Sequence, residues 1–250
     1  MVKKRITSVA APLVMFLLVF GIWELLCRVN ETPAWFLPTP SAIFTAMVVN
    51  FNEYLPHILV TLEVVLIGFL ITIPVGLLLA TLITRSPIIS AALNPYVTFL
   101  VTTPMICLIP LLMLMLGYGL TLRITVVVIQ SFAIINMNAC TGFLNVPTMR
   151  KELMQSMGAS PIKTYFKMSL PSAATDIFTG IQLAAIMATT ACISVEYNAG
   201  NTGLGSQIIK YSQYMKVTDS FACIFFVMII GVLLYALVTF AQKKIISWKE

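Results

Sequence analysis

Charge is the scarcest property of this sequence. Of its 250 residues, 10% are Asp, Glu, Lys or Arg, where a soluble domain carries about a quarter. Histidine occurs once, at His57, too little for a His-rich metal cluster. The five cysteines, Cys27, Cys107, Cys140, Cys192 and Cys223, are odd in number, form no CxxC pair and lie in or beside apolar runs. They are expected to act as small hydrophobes, with no disulfide or metal framework. The GxxxxGK[ST] phosphate loop is missing, because the stretch from Gly200 to Gly205 lacks the lysine, which closes the P-loop route to ATP. HExxH is also absent, and no serine has a histidine partner in its region, so a membrane-embedded enzyme is disfavoured.

What the chain has instead is apolar surface, 59% of residues. About 20 apolar residues carry a helix across the ~30 Å hydrocarbon layer, and runs of that length recur. The expectation is an all-α, polytopic membrane protein forming a single domain over residues 1–250. Its six transmembrane helices fall at 9–26, 58–83, 88–116, 120–143, 177–195 and 221–241. A β-barrel would show short alternating segments. The 28–56 segment between the first two spans carries Trp35 and Phe36 for the interface. Its Pro38 and Pro40 precede Ser41, a cap for a short helix over 42–49.

The net charge of +6 is a matter of topology. No basic face interleaved with aromatics is present for nucleic acid. With both termini cytoplasmic, the inside collects Lys3, Lys4, Arg5, Arg85, Arg150, Lys151, Lys163, Lys167, Lys243, Lys244 and Lys249. The outside keeps only Arg28, Arg123, Lys210 and Lys216 of the 15 basic residues. That bias puts the polar 149–171 loop in the cytoplasm. Within it, Glu152 to Met157 favour helix, Gly158 suits a left-handed C-cap, and Ser160-Pro161 can open a second helix. Pro171 is tolerated in the first turn of the span that follows. The loop is either a docking elbow for a motor protein or an ordinary loop held by its charge.

Several intramembrane residues qualify for a translocation path. Pro104 and Pro110 each free a carbonyl, either as plain packing kinks or as breaks lining a cavity. Gly180, Ala184, Ala188 and Cys192 form a small face suited to close helix packing, with Thr189, Thr190 and Ser194 beside it. Gln130, Asn136, Asn138 and Gln182 lie deep in spans, where polar groups are costly. Glu63 and Glu196 lie toward the outer face, as path residues or as solvated interfacial carboxylates. His57 reads as an interfacial residue.

The 149–171 loop resembles the signature of ABC importer permeases, E-A-A, three residues, G, nine residues, I-x-L-P. Glu152, Gly158 and Leu170-Pro171 keep both spacings, while Leu153 and Met154 replace the alanines and Met168 the isoleucine. Trp23-Glu24-Leu25-Leu26, Leu37-Pro38-Thr39-Pro40-Ser41, Gly117-Tyr118-Gly119, Asn138 with Gly142, and Gly203-Leu204-Gly205 are similar to the nitrate/sulfonate/taurine branch. The resemblance implies a type I ABC importer permease fold in the cell inner (plasma) membrane. Glu152, Leu153, Met154, Met157, Gly158, Leu170 and Pro171 would form the ATPase-coupling surface. Pro104, Pro110, Asn136, Asn138, Glu63 and Glu196 are the pathway candidates. Partners would be two copies of an ABC ATPase, a second permease copy in a homodimer, an extracytoplasmic substrate-binding protein and the lipid bilayer. ATP and Mg would be bound by the ATPase, leaving this chain without a cofactor, and a small organic or anionic solute would cross by alternating access. The alternative is an autonomous secondary transporter or channel, whose mark would be a carboxylate buried in mid-span; none is evident.

Overall fold

The computed structural model describes residues 2–246, so Lys249 lies outside the described residues, as do the side chains of Lys3, Lys4 and Arg5. Among the described residues every regular element is helical. The first helix, α1 (Val2–Val29), is followed by the short α2 (Pro40–Val49). Thr39, not Ser41, caps α2, its hydroxyl accepting from the Ala42 N–H with Pro40 at the first turn. Ser41 lies inside that helix and is claimed by α1. Its N–H and hydroxyl donate to the Glu24 carboxylate at 3.0 and 2.7 Å.

The second span, α3 (Phe51–Arg85), starts earlier than its apolar run and passes through Pro56 and Pro74. Ser86 then caps α4 (Pro87–Thr102), which turns into α5 (Met105–Leu116) through a bend of 104°. The two prolines of this segment behave differently. Pro104 has no N–H to continue the helix and pushes Thr103 to extended backbone at ψ 122. The Thr102 and Thr103 hydroxyls donate to the Phe99 carbonyl, which also accepts from the Thr103 N–H. Pro110 stays within α5. The expected third span is therefore two helices at a sharp angle, not one kinked rod.

The centre of the bundle is α6 (Leu120–Leu144) against α9 (Leu170–Ala199). Gly180, Ala184, Ala188 and Cys192 are all buried. A Cβ on Gly180 would come within 2.8 Å of the Asn138 Cβ, so the small face does bring two backbones together. Helix α3 packs on the other side of α6, where a Cβ on Gly68 would lie 2.5 Å from Val127. The last span, α11 (Val217–Ile245), runs antiparallel to α9 and joins it through Gln182, whose amide donates to Gln242 and Thr239.

Four helices of the described residues are long and apolar enough to cross a membrane, and the bent α4–α5 pair makes a fifth candidate. One of the four is longer than expected. Between the short helices α7 (Thr148–Ser156) and α8 (Pro161–Thr164) and the span α9 there is no loop closing at Leu170-Pro171. A π turn, Tyr165–Ser169, carries α8 directly into α9, giving an unbroken helical run Pro161–Ala199 of 39 residues. The Leu170 N–H reaches back to the Tyr165 carbonyl. The widened turn stands where the Pro171 ring would press on the preceding turn, a usual cause of such insertions.

Candidate functional site

The elbow forms as local chemistry dictates. At the end of α7 the Gly158 N–H donates to the Gln155 carbonyl at 2.9 Å and the Ala159 N–H to the Met154 carbonyl at 3.0 Å. Gly158 stands at φ +71, and the pair of bonds is a Schellman cap. Two residues later the Ser160 hydroxyl accepts from the Lys163 N–H at 3.3 Å, with Pro161 in the first turn of α8. The turn between α7 and α8 is thus capped on both sides by local hydrogen bonds.

One apolar face of this elbow is open. Met149, Leu153 and Met157, spaced by four, are 79%, 60% and 74% exposed, and Ile162 and Phe166 are exposed beside them. Glu152 is exposed as well, whereas Met154, Leu170 and Pro171 are half-buried. Leu153 and Met157 therefore lie on the open face, and Met154 serves the cap through its carbonyl. What ties the elbow to the bundle is a residue that the sequence did not single out. The Tyr165 ring packs 5.7 Å from that of Phe143, and its hydroxyl lies 2.8 Å from the Thr81 hydroxyl of α3. Cations gather around the junction. Arg85 and Lys151 line one cavity of about 400 Å³, and Arg150 and Lys167 line another of about 410 Å³ that also holds Asp176.

At the opposite end of the bundle, α10 (Leu204–Gln213) is preceded by a tight turn built around Glu196. This carboxylate is fully buried, not solvated at the interface. The Thr61 hydroxyl lies 2.9 Å from both its oxygens, the Gly205 N–H donates to it at 2.9 Å, and the Cys192 thiol approaches at 3.6 Å. Thr61 in turn accepts from the Leu204 N–H at 2.9 Å, and the Gly203 N–H donates to His57 Nδ1 at 3.3 Å. Gly203 stands at φ +103, and a Cβ there would overlap the Glu196 carboxyl group. Glu196 thus ties α3, α9 and α10 into one knot, three residues from the end of its span. Its place is near the end of α9, not in mid-span.

The pathway candidates do not converge. Glu63, Pro104 and Pro110 are exposed, Asn138 is half-buried and bonded to the Ile134 carbonyl, and Asn136 is buried. The Asn136 amide nitrogen has no hydrogen-bond partner, nor have the Gln130 carbonyl and the Ser131 hydroxyl of the same helix. Arg123, bonded to Thr202 near the Glu196 knot, precedes Asn136 on α6 by thirteen residues, about 20 Å along the helix axis. Among the described residues no group of three His, Cys, Asp or Glu side chains is placed to hold a metal. All five cysteines are free; Cys107 is exposed, unlike the expected buried hydrophobe.

Known proteins resemble this chain in sequence and in fold. The chain is 26% identical over 248 residues to the formylaminopyrimidine transport permease protein ThiX of Halalkalibacterium halodurans, covering 99% of each. It is 24% identical over 253 aligned positions to the nitrate import permease protein NrtB of Leptolyngbya laminosa, covering 98% of this chain and 91% of that one. In fold it is similar to an amino acid ABC transporter solved by crystallography, with a TM-score of 0.64 at 17% identity over 80% of this chain and 98% of the other. The family model described as "binding-protein-dependent transport system inner membrane component" matches residues 72–247. With its all-helical bundle and type I importer-like fold, the chain belongs to the family of binding-protein-dependent transport system inner membrane components.

Proposed function

We propose that this chain is the permease subunit of an ATP-driven importer, with the elbow at 149–171 docking on a separate ATPase. The observation that carries this is the open apolar face of Met149, Leu153 and Met157 on a turn fixed by its own caps and continuous with the central helix of the bundle. An apolar face standing among Arg85, Arg150, Lys151, Lys163 and Lys167 suits a groove on a protein better than water.

In this reading two ATPase subunits bind ATP and Mg and grip the elbows of two permease copies, most simply a homodimer. An extracytoplasmic binding protein delivers solute to the opposite end. The chain sits in the inner or plasma membrane with both termini and the elbow cytoplasmic, as the crowding of cations at the elbow end supports. Glu152 and Gly158 shape the elbow, and Leu170 and Pro171 join it to α9. Closure of the motors shifts the elbows and turns the path between inward and outward access. The solute is small, organic or anionic; ThiX and NrtB name a formylaminopyrimidine and nitrate for their own proteins. Pro104, Pro110, Asn136, Asn138 and Glu63 remain path candidates, with Glu196 supporting its outer end.

The test is a double substitution, Leu153→Asp with Met157→Asp, at positions too exposed to matter for folding. Affinity for the ATPase should fall by about tenfold or more, equivalent to about 1.4 kcal/mol, while the permease stays monodisperse. Unchanged copurification and uptake would remove the coupling role. Uptake by the purified chain alone, driven by an ion gradient, would establish the secondary transporter instead.

A further inference from the structure

A cavity of about 400 Å³ lies between the ends of α3 and α6 and the turn at Ala159–Tyr165. Arg85 and Lys151 both line it. Among the described residues the one ion pair is Arg28 with Glu24, so these two cations are unpaired. No carboxylate lines the cavity, unlike its neighbour, where Asp176 accompanies Arg150 and Lys167. A third wall residue, Thr164, has its hydroxyl oxygen buried without a hydrogen-bond partner, which costs stability unless something fills the place. Two unpaired cations and an orphaned hydroxyl around one space suit an anion with several acceptor oxygens.

The rim says which kind of anion. Leu144 lines the same cavity and is 71% exposed, and Leu82, one turn before Arg85 on α3, is also exposed. Arg85 is the residue at which the apolar α3 ends, so the polar floor and apolar rim meet at the boundary of a span. A free phosphate would use only the floor, whereas an amphiphile uses both.

We propose that this cavity seats the phosphate of an anionic phospholipid, held by Arg85, Lys151 and the Thr164 hydroxyl, with its acyl chains along Leu144 and Leu82. The assignment rests on the functional reading only for the leaflet, which would be the inner one.

Native mass spectrometry of the full chain in neutral detergent tests this, with phosphatidylglycerol and phosphatidylcholine as competing probes. The wild type should retain one phosphatidylglycerol with about thirtyfold preference, two cations contributing about fivefold each. Arg85→Gln with Lys151→Gln should remove the preference, while Lys243→Gln with Lys244→Gln, an equal loss of charge elsewhere, should leave it intact. Equal loss in both double variants, or retention in the first, overturns the proposal. So does displacement of the lipid by excess inorganic phosphate. Should the first double variant fail to fold, Thr164→Val carries the test. It should lower phosphatidylglycerol occupancy several-fold without lowering thermal stability in phosphatidylcholine, and unchanged occupancy overturns the proposal. Copurification of the ATPase is scored separately, so a permease that keeps its lipid but binds no ATPase sinks the functional reading alone.

Discussion

Glu196 decides the end of the molecule opposite the elbow through its hydrogen bonds. Its carboxylate receives the Thr61 hydroxyl and the Gly205 N–H, and bonds to a charged acceptor contribute about 1.5–3 kcal/mol each. Glu196→Ala should therefore destabilise the detergent-solubilised protein by about 3 kcal/mol or more. Glu196→Gln, which keeps an acceptor oxygen, should lose about half of that; thermal unfolding of the two variants side by side is the check. Gly203→Ala is expected to be at least as damaging, since the new Cβ meets the carboxyl group and φ is +103. Gly21→Ala on α1, where a Cβ meets nothing within 4 Å, should be neutral or stabilising by up to about 1 kcal/mol. The burial of Glu196 was not legible in the sequence. Its main donor, Thr61, lies 135 positions away, and a carboxylate near a span end looks the same whether it is solvated or knotted.

At the scale of the element, the elbow divides into a part the sequence specifies and a part it does not. The Gly158 cap and the Ser160-Pro161 start are bonds between residues at most five apart, so residue types alone predict them. The Tyr165 anchor depends on Thr81, 84 positions away, and nothing in the local pattern marks it. The two parts respond differently to mutation. Gly158→Ala meets open space but a left-handed backbone, and should cost about 1–2 kcal/mol in the turn alone. Tyr165→Phe keeps the ring packing on Phe143 and loses one hydroxyl contact, about 1 kcal/mol. Limited proteolysis at the elbow should rise in both variants, and more in Gly158→Ala. The bend at Pro104 belongs to the same lesson. Pro104 and Pro110 are equivalent as residues, yet only the first breaks its helix; there the Thr102 and Thr103 hydroxyls both donate to the Phe99 carbonyl in the last turn.

For the whole molecule, four of the six expected spans, those at 58–83, 120–143, 177–195 and 221–241, were readable in order from apolar run length, since the bilayer imposes that length on any helix crossing it; the third is a bent pair, and the first, in α1, is not among the long apolar helices of the described residues. Which helices sit at the centre was less so. Helices α6 and α9 carry the polar Gln130, Asn136, Asn138 and Gln182 and are less apolar than α3 and α11, and that modest hydropathy is the trace of being surrounded by protein. The two ends of the bundle differ in charge, and the proposed orientation rests on that difference. A membrane-impermeant thiol reagent applied to intact cells should label Tyr214→Cys, at an exposed site of the end opposite the elbow, in a background lacking the native cysteines. Met149→Cys in the same background should stay unlabelled until the cells are opened. The reverse pattern would turn the molecule over.

The unbroken run from Pro161 to Ala199 would measure about 58 Å at the rise of a regular α-helix, nearly twice the hydrocarbon thickness. It is fastened near one end by Tyr165 and near the other by Glu196. A single beam secured in this way behaves as a lever. In the proposed mechanism, a tilt applied at its foot would reach its head without a relay of side chains in between. The widened turn at 165–169 is the one place along its length where a pivot is already built in.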